Sequence, residues 1–202
     1  MIDQNNLFTT LDAVNYCLRA GGQNGVTTLD NPSRTLQSVL ALIQSHDLAV
    51  QSRGWSWNRI SRKELQPDQD GDIPLPNNTL RVSPAILSRR PRQTISLSSR
   101  TKDGQPHLFN SDTGTFAFAH PVVVSITERV AFEDLPPAAR LYVAARAAMD
   151  YNVASINDPL VAQTQDLAMR NALVTLEQIE DDANNNNNIF AANPALNHSG
   201  RY

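Results

Sequence analysis

The side chains best suited to chemistry are scattered along this chain. The four histidines are His46, His107, His120 and His198. No two stand at the i, i+4 spacing that sets a pair of imidazoles on one helical face around a zinc ion. Asp68, Asp70 and Asp72 alternate as calcium-binding carboxylates do. Counted from Asp68, however, the sixth and twelfth positions are Ile73 and Thr79, where a helix–loop–helix calcium site needs glycine and glutamate. The stretch therefore reads as a polar turn. Glu133 and Asp134 are adjacent, whereas glycoside hydrolysis needs two carboxyls facing each other at roughly 5–9.5 Å. Next to a helix start they instead favour its N-terminus electrostatically. Cys17, the single cysteine, lies among apolar helical positions and reads as a buried, inert thiol. With one cysteine there is no internal disulfide and no thiolate metal cluster. No nucleophile elbow, phosphate loop or dinucleotide fingerprint occurs. The residues thus point to no catalytic group, no metal and no cofactor.

Charge offers more. Arg89, Arg90 and Arg92 surround Pro91, with Arg81, Arg100 and Lys102 nearby. Residues 1–52 carry a net −2, residues 53–102 a net +6 and residues 103–202 a net −7. Such a cluster can pair with phosphates or with an acidic protein surface. It has no interleaved aromatics for stacking on single-stranded bases. A basic middle between acidic ends reads either as a polar protein contact surface or as a solvated loop region that carries arginines.

The elements that must carry these residues follow from periodicity. Leu11, Val14, Cys17 and Leu18 share one helical face, with Thr9 or Thr10 as cap and Gly21-Gly22 as stop. Asn31-Pro32 predicts the start of a second helix, with Leu36, Val39, Leu40, Ile43 and Val50 on its apolar side and an end near Gln51. From residue 55 to about 132 apolar residues mostly alternate with polar ones, which predicts an antiparallel sheet of five or six short strands. One hairpin is expected between 107–109 and 115–118, around Asn110–Gly114. Trp55 and Trp57 read as an aromatic strand tying helices to sheet. Pro136-Pro137 opens an alanine-rich helix over 138–154, with Leu141, Ala144, Ala145, Ala148 and Met149 lining a face. Asp158-Pro159 opens the longest helix, to about Asp182. Leu160, Leu167 and Val174 recur there at a spacing of seven, widened by Leu173, Leu176 and Ile179 into its expected buried stripe.

The result is an α+β chain: residues 1–54 and 133–183 form a helical bundle from both ends, and 55–132 a β-rich antiparallel insertion. Residues 184–202 open with the asparagine run Asn184–Asn188 and read as a tail that is flexible or ordered by a partner, with Ile189 and Phe190 as its anchors. With 202 residues, 41% hydrophobic and 18% charged, the chain has material for a core. Its longest apolar runs fall well short of the ~20 residues of a membrane helix. Residues 1–10 show no signal-peptide pattern, so synthesis in a cytoplasm is expected.

One string is distinctive: Gln51-Ser52-Arg53-Gly54-Trp55-Ser56-Trp57-Asn58. With Ala13-Val14-Asn15 through Gly21-Gly22, Val26–Asp30, Leu65–Asp68, Gly71–Pro76 and Phe132-Glu133-Asp134-Leu135-Pro136, it resembles the tail tubular protein A family of short-tailed phages over about residues 10–182. The resemblance implies a structural virion protein made in the bacterial host cytoplasm. It implies a dodecameric adaptor ring between the portal and the nozzle (tail tubular protein B), through whose lumen double-stranded DNA passes during ejection. It implies no cofactor, no catalytic set and no membrane anchoring. In such a ring Arg89, Arg90 and Arg92 are expected to face protein, since a lumen dense in arginine would grip the DNA. Two other functions are weighed against this one: a virion-associated wall or capsular polysaccharide hydrolase, and a DNA-binding module using the basic middle.

Overall fold

The computed structural model describes residues 8–85 and 95–186. The chain divides into two compact units, Met1–His46 with Leu135–Tyr202, and Asp47–Asp134. The elements are α1 (Thr10–Ala20), α2 (Arg34–Gln51), β1 (Arg59–Leu65), β2 (Thr79–Pro84), β3 (Leu97–Lys102), β4 (Gln105–Asn110), β5 (Val122–Glu128), α3 (Pro137–Ser155) and α4 (Pro159–Asn186), with a 3-10 turn at Phe132–Asp134 before α3. The chain is α+β as expected, with helices at both ends and antiparallel strands between.

The first unit is helical. At the start of α1, Thr9 and Asp12 exchange bonds in a capping box. Such a cap stabilises a helix by about 1 kcal/mol. At its end Gly22 adopts φ 70°, the Gln23 N–H donates to Leu18 O at 2.9 Å and the Gly22 N–H to Arg19 O at 3.0 Å. That is the left-handed stop the paired glycines predict. Helix α2 begins later than Asn31-Pro32 suggests. Asn31 sits at φ 49°, which no extended N-cap adopts, and Ser33 Oγ instead accepts the Leu36 N–H at 3.2 Å.

Helix α3 packs against α1 and α4. It is therefore buried over a wide arc rather than along one stripe: Ala139, Val143, Ala144, Ala145, Ala147 and Ala148 are all inaccessible, while Leu141 and Met149 are half-buried. Small side chains there let three helix backbones approach. Asn152, fully buried, donates from Nδ2 to Ala20 O at 2.9 Å and so satisfies a carbonyl at the end of α1.

The largest departure from the sequence reading is in α4. Of its expected stripe Leu176 is buried, but the spacing-of-seven row is not on the core face: Leu160, Leu167 and Val174 are 72%, 61% and 54% exposed. The side turned to the core carries Gln165, Ala172 and Leu176. The helix has two apolar faces, and a spacing of seven does not say which of them the chain's own core covers.

The second unit is the β-rich one. Its strands form two sheets rather than one, a three-stranded sheet in the order β1-β5-β2 and a two-stranded ribbon of β3 and β4, all antiparallel. Leu65, Ile73, Leu75, Val82, Leu108, Val124 and Ile126 make one core between them. Segment 73–75 runs beside β4, with the Leu75 N–H donating to Pro106 O at 2.8 Å and the Leu108 N–H to Ile73 O at 2.9 Å.

The expected hairpin is displaced. Strand β4 pairs with β3 across Asp103-Gly104, not with 115–118, and Asn110 and Thr115 share only an isolated bridge. The cause is the Asn110 side chain, whose Oδ1 accepts the N–H groups of Asp112 and Thr113 at 3.0 and 3.2 Å. This curls the chain away from a ladder. Phe116 then meets Phe109 edge-on at 5.0 Å, and the Phe118 N–H donates to Gly71 O at 2.8 Å. The tryptophan strand is likewise absent: the structured segment from Trp55 to Asn58 is a turn, and β1 starts after it.

Candidate interaction surfaces

The distinctive string from Gln51 to Asn58 is a clasp inside the second unit. Gln51, fully buried, donates from Nε2 to Asp47 Oδ1 at 2.7 Å and to Val130 O at 3.0 Å, while its Oε1 accepts the Val130 N–H at 2.9 Å. One side chain thus joins the end of α2 to the segment leaving β5. Asp47, also buried, receives Arg129 Nε and Nη2 at 3.2 and 3.0 Å. Trp55 folds back so that Nε1 donates to Val50 O at 2.8 Å. Asn58 Nδ2 reaches Gln51 O at 2.9 Å and Glu128 O at 3.1 Å. Gly54 is required between them. Its φ is 80°, and a Cβ there would lie 2.8 Å from Thr127 Oγ1.

Much of the basic charge of this unit is already engaged. Lys63 pairs with Glu128 at 2.9 Å, Lys102 with Asp72, and Arg129 with Asp47. The hydrogen bond to Asp72, followed by neighbouring carboxylates, holds the Lys102 pKa above its ordinary value against a smaller opposing effect of desolvation. Arg53 and Arg100 lie over the rings of Trp55 and Phe109 at 4.4 and 3.8 Å. Arg89, Arg90 and Arg92, and the tail residues Ile189 and Phe190, lie outside the described residues.

Among the described residues the first unit has two open surfaces of low charge, the first broken only by exposed Arg170, which pairs with Asp166 at 2.9 Å. One is the outer face of α4. At 100° per residue, Leu160, Leu167 and Val174 fall within about 40° of one another and on the side away from Ala172 and Leu176. Around them Gln163, Thr164, Asn171, Thr175 and Gln178 are exposed and uncharged. The other is an open groove of ≈ 620 Å³ lined by Thr35, Ser38, Ala41 and Leu42 of α2 and by Tyr151 and Ala154 of α3. A smaller groove of ≈ 330 Å³ lies beside Tyr16, Arg19 and Leu160. Neither groove is lined by a carboxylate.

Comparison with known families decides the kind of surface these are. A family model described as tail tubular protein matches residues 11–186. The chain belongs to the tail tubular protein family. It is accordingly a structural protein of the phage tail, located in the virion tail. A search of curated proteins gave no match.

Within this tail tubular protein the potentially chemical side chains serve structure. Asp68 Oδ1 accepts the N–H groups of Asp70 and Asp72 at 3.0 and 2.9 Å, which makes the carboxylate run a self-capped turn. Among the described residues no group of His, Cys, Asp and Glu could hold a metal. His46 Nε2 lies 2.8 Å from Asp150 Oδ2, and His107 Nδ1 lies 3.0 Å from Gln105 O. Cys17 Sγ donates to Ala144 O at 3.7 Å, and burial pushes its thiol pKa up to about 12. Phe132–Asp134 form the 3-10 turn ahead of α3. Among the described residues no helix is long and apolar enough to cross a membrane.

Sequence reasoning missed three members of the clasp, Asp47, Gln51 and Asn58, as buried groups. The usable signal was a polar residue at an apolar helical position: Asp47 lies four residues after Ile43, on the buried side of α2.

Proposed function

We propose that this tail tubular protein is the adaptor ring between the portal and the tail nozzle protein (tail tubular protein B), a dodecamer of its own copies with double-stranded DNA passing through the lumen during ejection of a podovirus genome. The observation that carries this reading is the second apolar face of α4. A monomer in water has no use for three exposed large aliphatics in register on a helix whose other face is already packed. A component of a closed assembly does.

On this reading residues 1–54 and 133–183 form the portal-side helical domain, 55–132 the nozzle-side insertion, and 184–202 a segment ordered by a neighbour through Ile189 and Phe190. Arg89, Arg90 and Arg92 face a protein partner, because a ring that lets DNA slide cannot neutralise many phosphates at once. The protein is made in the host cytoplasm, is not anchored in a membrane and catalyses nothing.

The test is electron microscopy of the purified chain with and without its portal. Closed rings that bind portal on one rim and nozzle protein on the other are expected. A chain that stays monomeric with both partners, or that clears a capsular polysaccharide gel, would refute the reading. Reversing Arg89, Arg90 and Arg92 to glutamate should impair assembly. Intact assembly with altered DNA passage would instead place the cluster in the lumen.

A further inference from the structure

We propose that the outer face of α4 in one copy seats in the α2–α3 groove of the next, making a head-to-tail seam within the helical units. The inference rests on the self-assembly reading above and names the surface that reading requires.

Four observations converge. The donor face offers a row of large aliphatics, Leu160, Leu167 and Val174, flanked mostly by uncharged polar residues and by one cation, Arg170, already paired with Asp166. The core of an interface is largely depleted of charge in this way. The acceptor is an open uncharged cavity of ≈ 620 Å³ in which Ser38 and Ala41 leave room for larger side chains. The steps match: Thr35 to Leu42 is seven residues of α2, about 10.5 Å, the same rise that separates Leu167 from Val174.

The end of α4 carries Glu177, Glu180, Asp181 and Asp182. A parallel α4–α4 pair would stack these acids on themselves, and an antiparallel pair would set them against Asp158, since Asp166 is already paired with Arg170. Laid antiparallel along α2, with Val174 near Thr35 and Leu167 near Leu42, the same acids come beside exposed Arg34. Donor and acceptor are different surfaces of one chain. The contact is therefore heterologous and propagates from copy to copy until it closes.

The experiment uses the full chain, with and without portal, measured by mass photometry and electron microscopy beside the wild type. Leu167→Asp and Ala41→Asp should each raise the concentration for half-assembly at least tenfold, with an unchanged melting temperature, since both sites are exposed. Combining Leu167→Asp with Ala41→Lys should recover most of the loss. Leu167→Cys with Ala41→Cys should give a ladder of disulfide-linked multimers under oxidation, and neither single variant should. Dimers from Leu167→Cys alone would overturn the proposal in favour of a two-fold pair. Monomeric cross-linking of Leu167→Cys to Phe190→Cys would overturn it in favour of the chain's own tail. Rings that tolerate both aspartates would put the seam elsewhere while leaving the ring reading standing. A wild type that never oligomerises would end both.

Discussion

Replacing Gln51 by leucine removes three hydrogen bonds at one stroke. The side chain is fully buried and bonds Asp47 at 2.7 Å and Val130 at 2.9 and 3.0 Å. Leucine fits the volume but strands the Val130 N–H, the Val130 carbonyl and one oxygen of Asp47. Arg129 still covers the other oxygen of that carboxylate. Each stranded group costs about 1–3 kcal/mol. The two at Val130 are partly reachable by water, so a total of about 3–5 kcal/mol is expected. That is a large share of the 5–15 kcal/mol of a typical domain. Both tryptophans, Trp55 and Trp57, lie in the Asp47–Asp134 unit, so their fluorescence reports on that unit. With a urea slope of about 1–1.5 kcal/mol per molar for a unit this small, the midpoint should fall by roughly 2–5 M. Gln51→Glu, which swaps the donating amide for a second carboxylate against Asp47, should be at least as damaging. A leucine variant within about 0.5 kcal/mol of wild type, or undiminished exchange protection at the Val130 amide, would refute the clasp.

Three further outcomes follow from the described geometry. Cys17, with a thiol pKa near 12, should react with iodoacetamide at pH 8 roughly a thousand-fold more slowly than a free cysteine. It should label at the ordinary rate in urea, and fast labelling of native protein would contradict its burial. Gly54→Ala, forced to φ 80° and to 2.8 Å from Thr127 Oγ1, should destabilise the β-rich unit by about 2 kcal/mol, read from the same tryptophan transition. The bonds to Thr9 lower the Asp12 pKa below 3.8. A depressed carboxyl pKa stabilises the fold above the unfolded value and ceases to do so as pH falls through the folded one. The stability difference between wild type and Asp12→Ala, about 1 kcal/mol at pH 7, should therefore close as the pH falls below about 4. A gap independent of pH would mean that the capping box does not act through its charge.

What the sequence reading could reach depends on how local the signal is. The ends of α1 and the alanine-rich start of α3 were legible because capping residues and paired glycines or prolines act within one turn. The Asn110–Gly114 turn was legible as a turn, but its strand partner was not. Two turn signals lay eight residues apart, and only long-range packing chose Asp103-Gly104 as the hairpin. The α4 stripe was only partly right: Leu176 is buried, while Leu160, Leu167 and Val174 are exposed, and periodicity alone does not separate the two sets. Asp47 and Gln51 escaped because a buried polar residue looks like a surface one until its partners, Arg129 and Val130, arrive from about eighty residues away.

The bonds from Gln51 to Val130 bring the two ends of the β-rich segment within one side chain's reach. What lies between those ends can lengthen, shorten or be exchanged by recombination while the same glutamine still closes the joint.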